Sequence, residues 1–219
     1  MSDLSCQIGS PMTMTKDTLL RQRNPDKTRQ RILEAAFQEI YRHGFQGTRM
    51  DDIVQATGLT KGALYHHFPN KQNLGYAVVE EVVLHMLMNL WDSVADSDQP
   101  LERIIDAIRR LDDHVGPQIF TLGCPLNNLA QEMSPLDEGF RSRIDEVYRQ
   151  WHKAMLQALE RARDKQQLRD GVDLDDIATF LLGALSGCIG LAKNAQSREL
   201  YQQCSRVLVD FLESLRRPR

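Results

Sequence analysis

The 219-residue chain is 42% hydrophobic with a formal charge of −3, ordinary values for a soluble globular protein holding one large domain or a small domain plus a larger one. Its longest apolar run, around Phe180 to Leu185, is interrupted by Gly183 and too short to cross a bilayer, and Met1 to Ser10 lacks the apolar stretch of a secretory leader. A cytoplasmic protein with no membrane partner is expected.

Four cysteines, Cys6, Cys124, Cys188 and Cys204, show no Cys-x-x-Cys spacing, and the six histidines include no His-Glu-x-x-His. Reduced thiols, no disulfide framework, no metal site and no cofactor are therefore expected. The net charge hides an asymmetry. Residues 1–75 carry ten Lys/Arg against seven Asp/Glu, and the remainder carries 17 against 23. The basic end is where an anionic polymer would bind.

In chain order, residues 1–24 are polar and aperiodic and read as a flexible basic tail ending in Arg21 and Arg23. From Pro25, apolar residues Ile32, Leu33, Ala36, Phe37 and Ile40 recur at helical spacing until Gly44 supplies a left-handed stop. Thr48-Arg-Met-Asp51 reads as a capping box opening a second helix that runs to about Ala56. Thr57-Gly58-Leu59 is a tight turn, Thr60 caps a short third helix from Lys61 to His67, and Pro69 forbids its continuation. Asn70 caps a long fourth helix carrying Leu74, Val78, Val82, Leu84, Leu87 and Leu90 toward Trp91. Further helices are predicted at about Pro100 to Val115, Pro125 to Met133, Pro135 to Asp164, Asp173 to Asn194 and Ser197 to Leu215. The expected fold is all-α, about nine helices. Residues 25–72 form a three-helix helix-turn-helix domain, and residues 73–219 a helical ligand-binding and dimerisation domain.

Two short helices joined through a glycine turn form the helix-turn-helix plan, whose second helix enters the major groove of double-stranded DNA by its N-terminal end. Leu64 and Phe68 can pack inward, leaving Lys61, Gly62, Ala63, Tyr65 and His66 outward. Gly62 and Ala63 permit close approach to the duplex. Thr48, Thr60, Lys61, Tyr65, His66 and Lys71 suit phosphate contacts, while Ala63, His67 and the Tyr65 ring suit base edges. The run Met50-Asp-Asp-Ile-Val-Gln-Ala-Thr-Gly-Leu-Thr-Lys-Gly-Ala-Leu-Tyr-His-His-Phe-Pro-Asn-Lys71 resembles the signature of the tetracycline-repressor (TetR) family, with Thr57 where the family often has alanine. The likeness covers roughly Asp26 to Val83 and implies DNA contact by Lys61, Tyr65, His66 and Lys71. It also implies a homodimer in which the last two helices of each subunit meet.

In those helices Gly183, Ala184 and Gly187 would allow close approach, and Val207, Leu208 and Phe211 supply an apolar stripe. A pocket for an unidentified small-molecule effector is expected between the long helices, with Met86, Trp91, Phe120, Cys124, Tyr148, Trp151 and Met155 as candidate lining. Cys124, just before a proline-led helix start, should feel the positive helix end, which favours the thiolate and makes it a candidate oxidant or electrophile sensor. His85, His114, Cys124 and His152 share no catalytic spacing, so no catalytic residue is assigned. The resulting expectation is a ligand-responsive repressor acting as a homodimer on a palindromic operator. A DNA-bound architectural protein without a ligand is the alternative.

Overall fold

The computed structural model describes residues 25–95 and 97–218, so the expected N-terminal tail lies outside the described residues. Three helices open the fold: α1 (Pro25–Gly47), α2 (Met50–Thr57) and α3 (Lys61–His67). The long helix α4 follows in three consecutive segments, Lys71–Ala77, Val78–Val83 and Leu84–Ala95. Then come α5 (Pro100–Arg109), α6 (Leu111–Val115), α7 (Ile119–Leu122), α8 (Pro125–Met133), α9 (Glu138–Asp164), α10 (Leu174–Ala195) and α11 (Arg198–Ser214). Among the described residues the only extended pairing is an isolated bridge between Leu168 and Arg216.

Short polar side chains set five of the helix starts by accepting otherwise unpaired amides. Thr60 accepts from Ala63, Asn70 from Asn73, Asp137 from Phe140, Asp173 from Asp175 and Asp176, and Ser197 from Leu200. Four expectations change. The chain from Pro100 to Val115 is two helices, because Arg110 (φ −116°, ψ 40°) leaves the helical region and the redirected turn buries Leu111. Helix α9 begins after Asp137 rather than at Pro135, since the Asp137 carboxylate is the group that captures a free amide. The short helix α7 carried no sequence signal. In α4 the middle segment is a wider π-type turn, with the Leu84 N–H donating to the Val79 carbonyl. That extra residue rotates the apolar face, so Val79 and Val83 are buried while Val82 and Leu84 are only partly so.

Helix α9 lies centrally, packed on α4, α5, α8 and α10, and α11 closes the far side against α5 and α10. Helix α10 has the length and apolarity of a membrane span by composition. Nine of its residues, including Ile177, Leu181, Leu185 and Ile189, are buried against the protein. The core runs without a gap from Ile32 to Leu215, so the helix-turn-helix shares packing with the larger half. At the junction Phe140 of α9 is fully buried, meeting Phe45 of α1 edge-on at 4.5 Å and Tyr76 of α4 at 5.0 Å between ring centroids.

Cys188 of α10 and Cys204 of α11 are joined by a disulfide, with Cα atoms 5.7 Å apart, which corrects the expectation of reduced thiols for this pair. The two helices form an antiparallel hairpin turning near Gln196, and residues equidistant from that turn are brought side by side. A search for close cysteine spacing does not see such a pairing.

Phe140→Ala removes the ring shared by α1, α4 and α9. Chemical denaturation should show a loss of about 3–5 kcal/mol, and a change under 1 kcal/mol would contradict this account of the junction.

Candidate nucleic-acid interface and regulatory cavity

Helix α3 is only seven residues long, too short to hold itself in water, so its shape depends on docking. Leu64 is fully buried and Phe68 nearly so, both sharing a core with Ile53 of α2 and the half-buried Leu59. Gly58 takes the left-handed conformation (φ 64°) that turns the chain from α2 toward α3, and Thr60 caps the start of α3 by accepting the Ala63 N–H at 3.2 Å. With Leu64 and Phe68 inward, Thr60, Lys61, Gly62, Tyr65 and His66 are exposed, and Ala63 and His67 are half-buried. The structure therefore brings together the expected reading surface. Its second helix is seated behind it.

The capping box at Thr48 is a correction. Thr48 is 2% exposed and its hydroxyl donates to the Gly44 carbonyl at 2.8 Å, while Arg49, with extended backbone and no side-chain cap bond, precedes α2. The Gly44 carbonyl, which also accepts the Thr48 N–H at 3.2 Å, takes the hydroxyl that sequence reasoning assigned to an amide or a phosphate. Arg49, which that reasoning passed over, is exposed and has no ion-pair partner among the described residues. A basic residue immediately before an acid-rich first turn was the available signal.

Lys61 pairs with Asp51 in the first turn of α2, Nζ to Oδ1 at 2.7 Å, both side chains exposed. The hydrogen bond to Asp51, then its charge, holds the Lys61 ammonium above its usual range. Contact with a phosphate requires that lysine to leave Asp51. Lys71 is half-buried; its Nζ donates to the Gln46 carbonyl at 3.1 Å and lies 4.7 Å from the Phe45 ring centroid, and burial lowers its pKa.

Residues 32–78 match the family model described as bacterial regulatory proteins, tetR family, and residues 100–208 match the one described as the tetracyclin repressor-like C-terminal domain. The chain is 30% identical to the HTH-type transcriptional repressor AcnR of Corynebacterium diphtheriae, over 86% of this chain and 91% of that one. The chain belongs to the TetR family.

This TetR-family member is accordingly a DNA-binding transcriptional regulator and not an enzyme. It is also similar to the HTH-type transcriptional repressor DhaR of Mycobacterium sp. (strain GP1), at 27% identity over 84% of this chain and 91% of that one. A crystal structure described as regulatory protein TetR from Rhodobacter sphaeroides superimposes with a TM-score of 0.75 at 26% identity, covering 84% of this chain and 97% of the other.

In the C-terminal half, Met86, Trp91, Cys124 and Trp151 line one narrow apolar cavity of about 40 Å³ between helices α4 to α10. The other candidate lining residues do not border it. Phe120 packs on Tyr201 with centroids 5.0 Å apart, Met155 is fully buried core, and Tyr148 stacks on Trp151 while its hydroxyl donates to Asn127 at 3.4 Å. Among the described residues neither the Trp91 nor the Trp151 indole N–H has an acceptor. Cys124 precedes α8 as expected, but burial pushes its thiol up, and backbone N–H groups of Asn127 and Leu126 only partly oppose this. The neutral thiol is favoured, which corrects the thiolate expectation: loss of hydration outweighs the helix end.

On α10 and α11, Gly183 and Gly187 are exposed, Ala184 and Phe211 half-buried, and Val207 is 69% exposed. Leu208 is buried within the subunit, so its place in an apolar stripe on the outside is corrected. Phe180 and Leu191, 51% and 57% exposed, take its part, and Phe180 meets Phe211 edge-on at 5.1 Å.

Two outcomes follow from these charges. Asp51→Asn frees Lys61 and removes an exposed anion beside α3, so duplex affinity in fluorescence anisotropy should rise roughly twofold to fivefold; weaker binding would contradict the pairing. Burial pushes the Tyr148 hydroxyl up to about 12 and raises Tyr41, Tyr201 and Cys124 as well. A folded-state pKa above the unfolded value means stability intact below the unfolded pKa, about 8.5 for thiol and 10 for phenol, and lost as pH rises through the folded one. The urea midpoint should hold from pH 7 to about 8 and fall above it, with a shallower fall in Tyr148→Phe.

Proposed function

We propose that the chain is a repressor that binds a palindromic operator as a homodimer and is released when a small molecule enters the C-terminal half. The observation that carries this reading is the buried pair Leu64 and Phe68 behind a capped helix whose exposed side is Thr60, Lys61, Tyr65 and His66. Such a helix offers small, polar and basic groups at its N-terminal end, where a major groove accepts them. Phosphate contacts fall to Thr60, Lys61, Tyr65 and His66, to Arg49, and to Lys71 once it leaves Gln46; Gly62 lets the backbone approach, and Ala63, His67 and the Tyr65 ring reach base edges.

Residues 25–72 act as the DNA-binding domain and residues 73–219 as the regulatory one. A second copy of this chain covers Phe180, Gly183, Ala184, Gly187, Leu191, Val207 and Phe211, since large exposed apolar side chains with intervening glycines suit helix-on-helix burial. The pairing sets the two α3 helices against half-sites about one DNA turn apart. A regulator reading bacterial operators works in the cytoplasm.

The effector enters by widening the cavity bounded by Met86, Trp91, Cys124 and Trp151, which at about 40 Å³ is far below the roughly 300 Å³ of a ligand site. It acts only through its different affinity for the two states, so ~100-fold weaker DNA binding needs about 3 kcal/mol of coupling.

Selection of bound sequences from random duplexes identifies the operator, and titration of Lys61→Ala/Tyr65→Ala against it tests the reading. The folded double variant should bind at least about tenfold more weakly, with the salt slope reduced by about one per lost phosphate contact. Unaltered affinity, or equal binding to every duplex, would count against the proposal.

A further inference from the structure

Helix α1 is interrupted at Gly44, whose φ of +75° lies in the region other residues avoid. The next two N–H groups therefore leave the helical ladder and donate across the molecule to a single carboxylate. Phe45 N–H meets Glu132 Oε2 at 2.9 Å and Gln46 N–H meets Oε1 at 2.8 Å. Capture of two successive amides by one anion is a charge-assisted, geometrically exacting contact. A side chain at Gly44 would place its Cβ 2.9 Å from Glu132 Oε2, so the glycine also makes room for the carboxylate.

Glu132 is the penultimate residue of α8, whose N-cap Cys124 and first residue Pro125 form part of the cavity wall. The turn that leads into α8 is tied to α1 as well: the Tyr41 hydroxyl donates to the Gly123 carbonyl at 2.5 Å. One nine-residue helix thus borders the cavity at its first turn and grips α1 through Glu132 near its last, with the turn before it held by Tyr41. The gripped segment leads directly into α2, with the Gly44 carbonyl held by Thr48 and the Gln46 carbonyl by Lys71. It has little freedom to move separately from Glu132.

We infer that Glu132 is the positioning residue through which the regulatory half sets the helix-turn-helix: its carboxylate fastens residues 44–48 to α8, so that displacement of α8 at the cavity is passed to α2 and α3. This rests on the DNA-binding reading above but adds a route separate from the covalent one through α4. Glu132 acts through α2 rather than by touching DNA.

Wild type, E132Q, E132A and the adjacent control Q131A are compared by amide hydrogen exchange without DNA and by operator titration. In E132A, exchange at Phe45 and Gln46 should be about tenfold faster, spreading into Met50–His67 with α10 unchanged, and operator binding about tenfold weaker. E132Q keeps one acceptor oxygen and should fall between wild type and E132A in both measurements, while Q131A matches wild type. Should E132A unfold, E132Q carries the test. A merely stabilising acid would lower the unfolding temperature yet leave operator affinity unchanged well below it, and that result overturns the inference. So does unchanged exchange at Phe45 and Gln46. Because exchange is read without DNA, a wild type that favoured no duplex would defeat the DNA-binding reading while exchange alone still judged the clamp.

Discussion

Burial of the Phe140 ring between Phe45 and Tyr76 is the contact on which the arrangement of this protein depends. It is where α1, α4 and α9 meet, and edge-on aromatic packing in a dry core favours one geometry over its neighbours. Tyr76 is held in turn by its hydroxyl donating to Asp137, the residue that caps α9, at 2.8 Å. Helices α2 and α3 are short and cannot sustain themselves. They persist because α1 and α4 offer a fixed apolar surface for Ile53, Leu64 and Phe68. The reading face of α3 is thus a consequence of packing behind it.

The basic character of the N-terminal third is smaller at the surface than in the sequence. Arg29 is committed to Glu81 across α1 and α4, Arg31 donates to the Thr57 carbonyl, Lys61 to Asp51 and Lys71 to Gln46. These cations hold the domain together. The positive groups on this surface are therefore partly neutralised by acceptors of the protein itself.

Cys124 illustrates how competing physical effects are ranked. A helix N-terminus favours an anion by about 0.3–1 kcal/mol near the surface, whereas removing a charge from water into an apolar wall costs several times more. Cys124 lies among Leu111, Ile119, Pro125 and Ile189, where the second effect prevails.

Helix starts marked by Thr60, Asn70, Asp173 and Ser197, the glycine turns at Gly44 and Gly58, and the inward pair Leu64 and Phe68 were all legible in the sequence, because each depends on neighbours within about one helical turn. What was not legible depends on residues far apart in the chain. The hydroxyl of Thr48 turned from α2 to Gly44, whose carbonyl already accepts the Thr48 N–H and lies within reach of the side chain. Leu208 went inside, and Phe180 and Leu191 outside, because the mutual rotation of α10 and α11 is set by their packing on α5 and α9. Cys188 found Cys204 through the hairpin of those helices, and Glu132 found Phe45 and Gln46 from 87 and 86 residues away. Local sequence determined which segments are helices and which face of α3 is free, since backbone propensity, capping and periodicity are short-range. Only the tertiary structure decided which polar groups are already spent on one another, since that depends on which distant surfaces are pressed together.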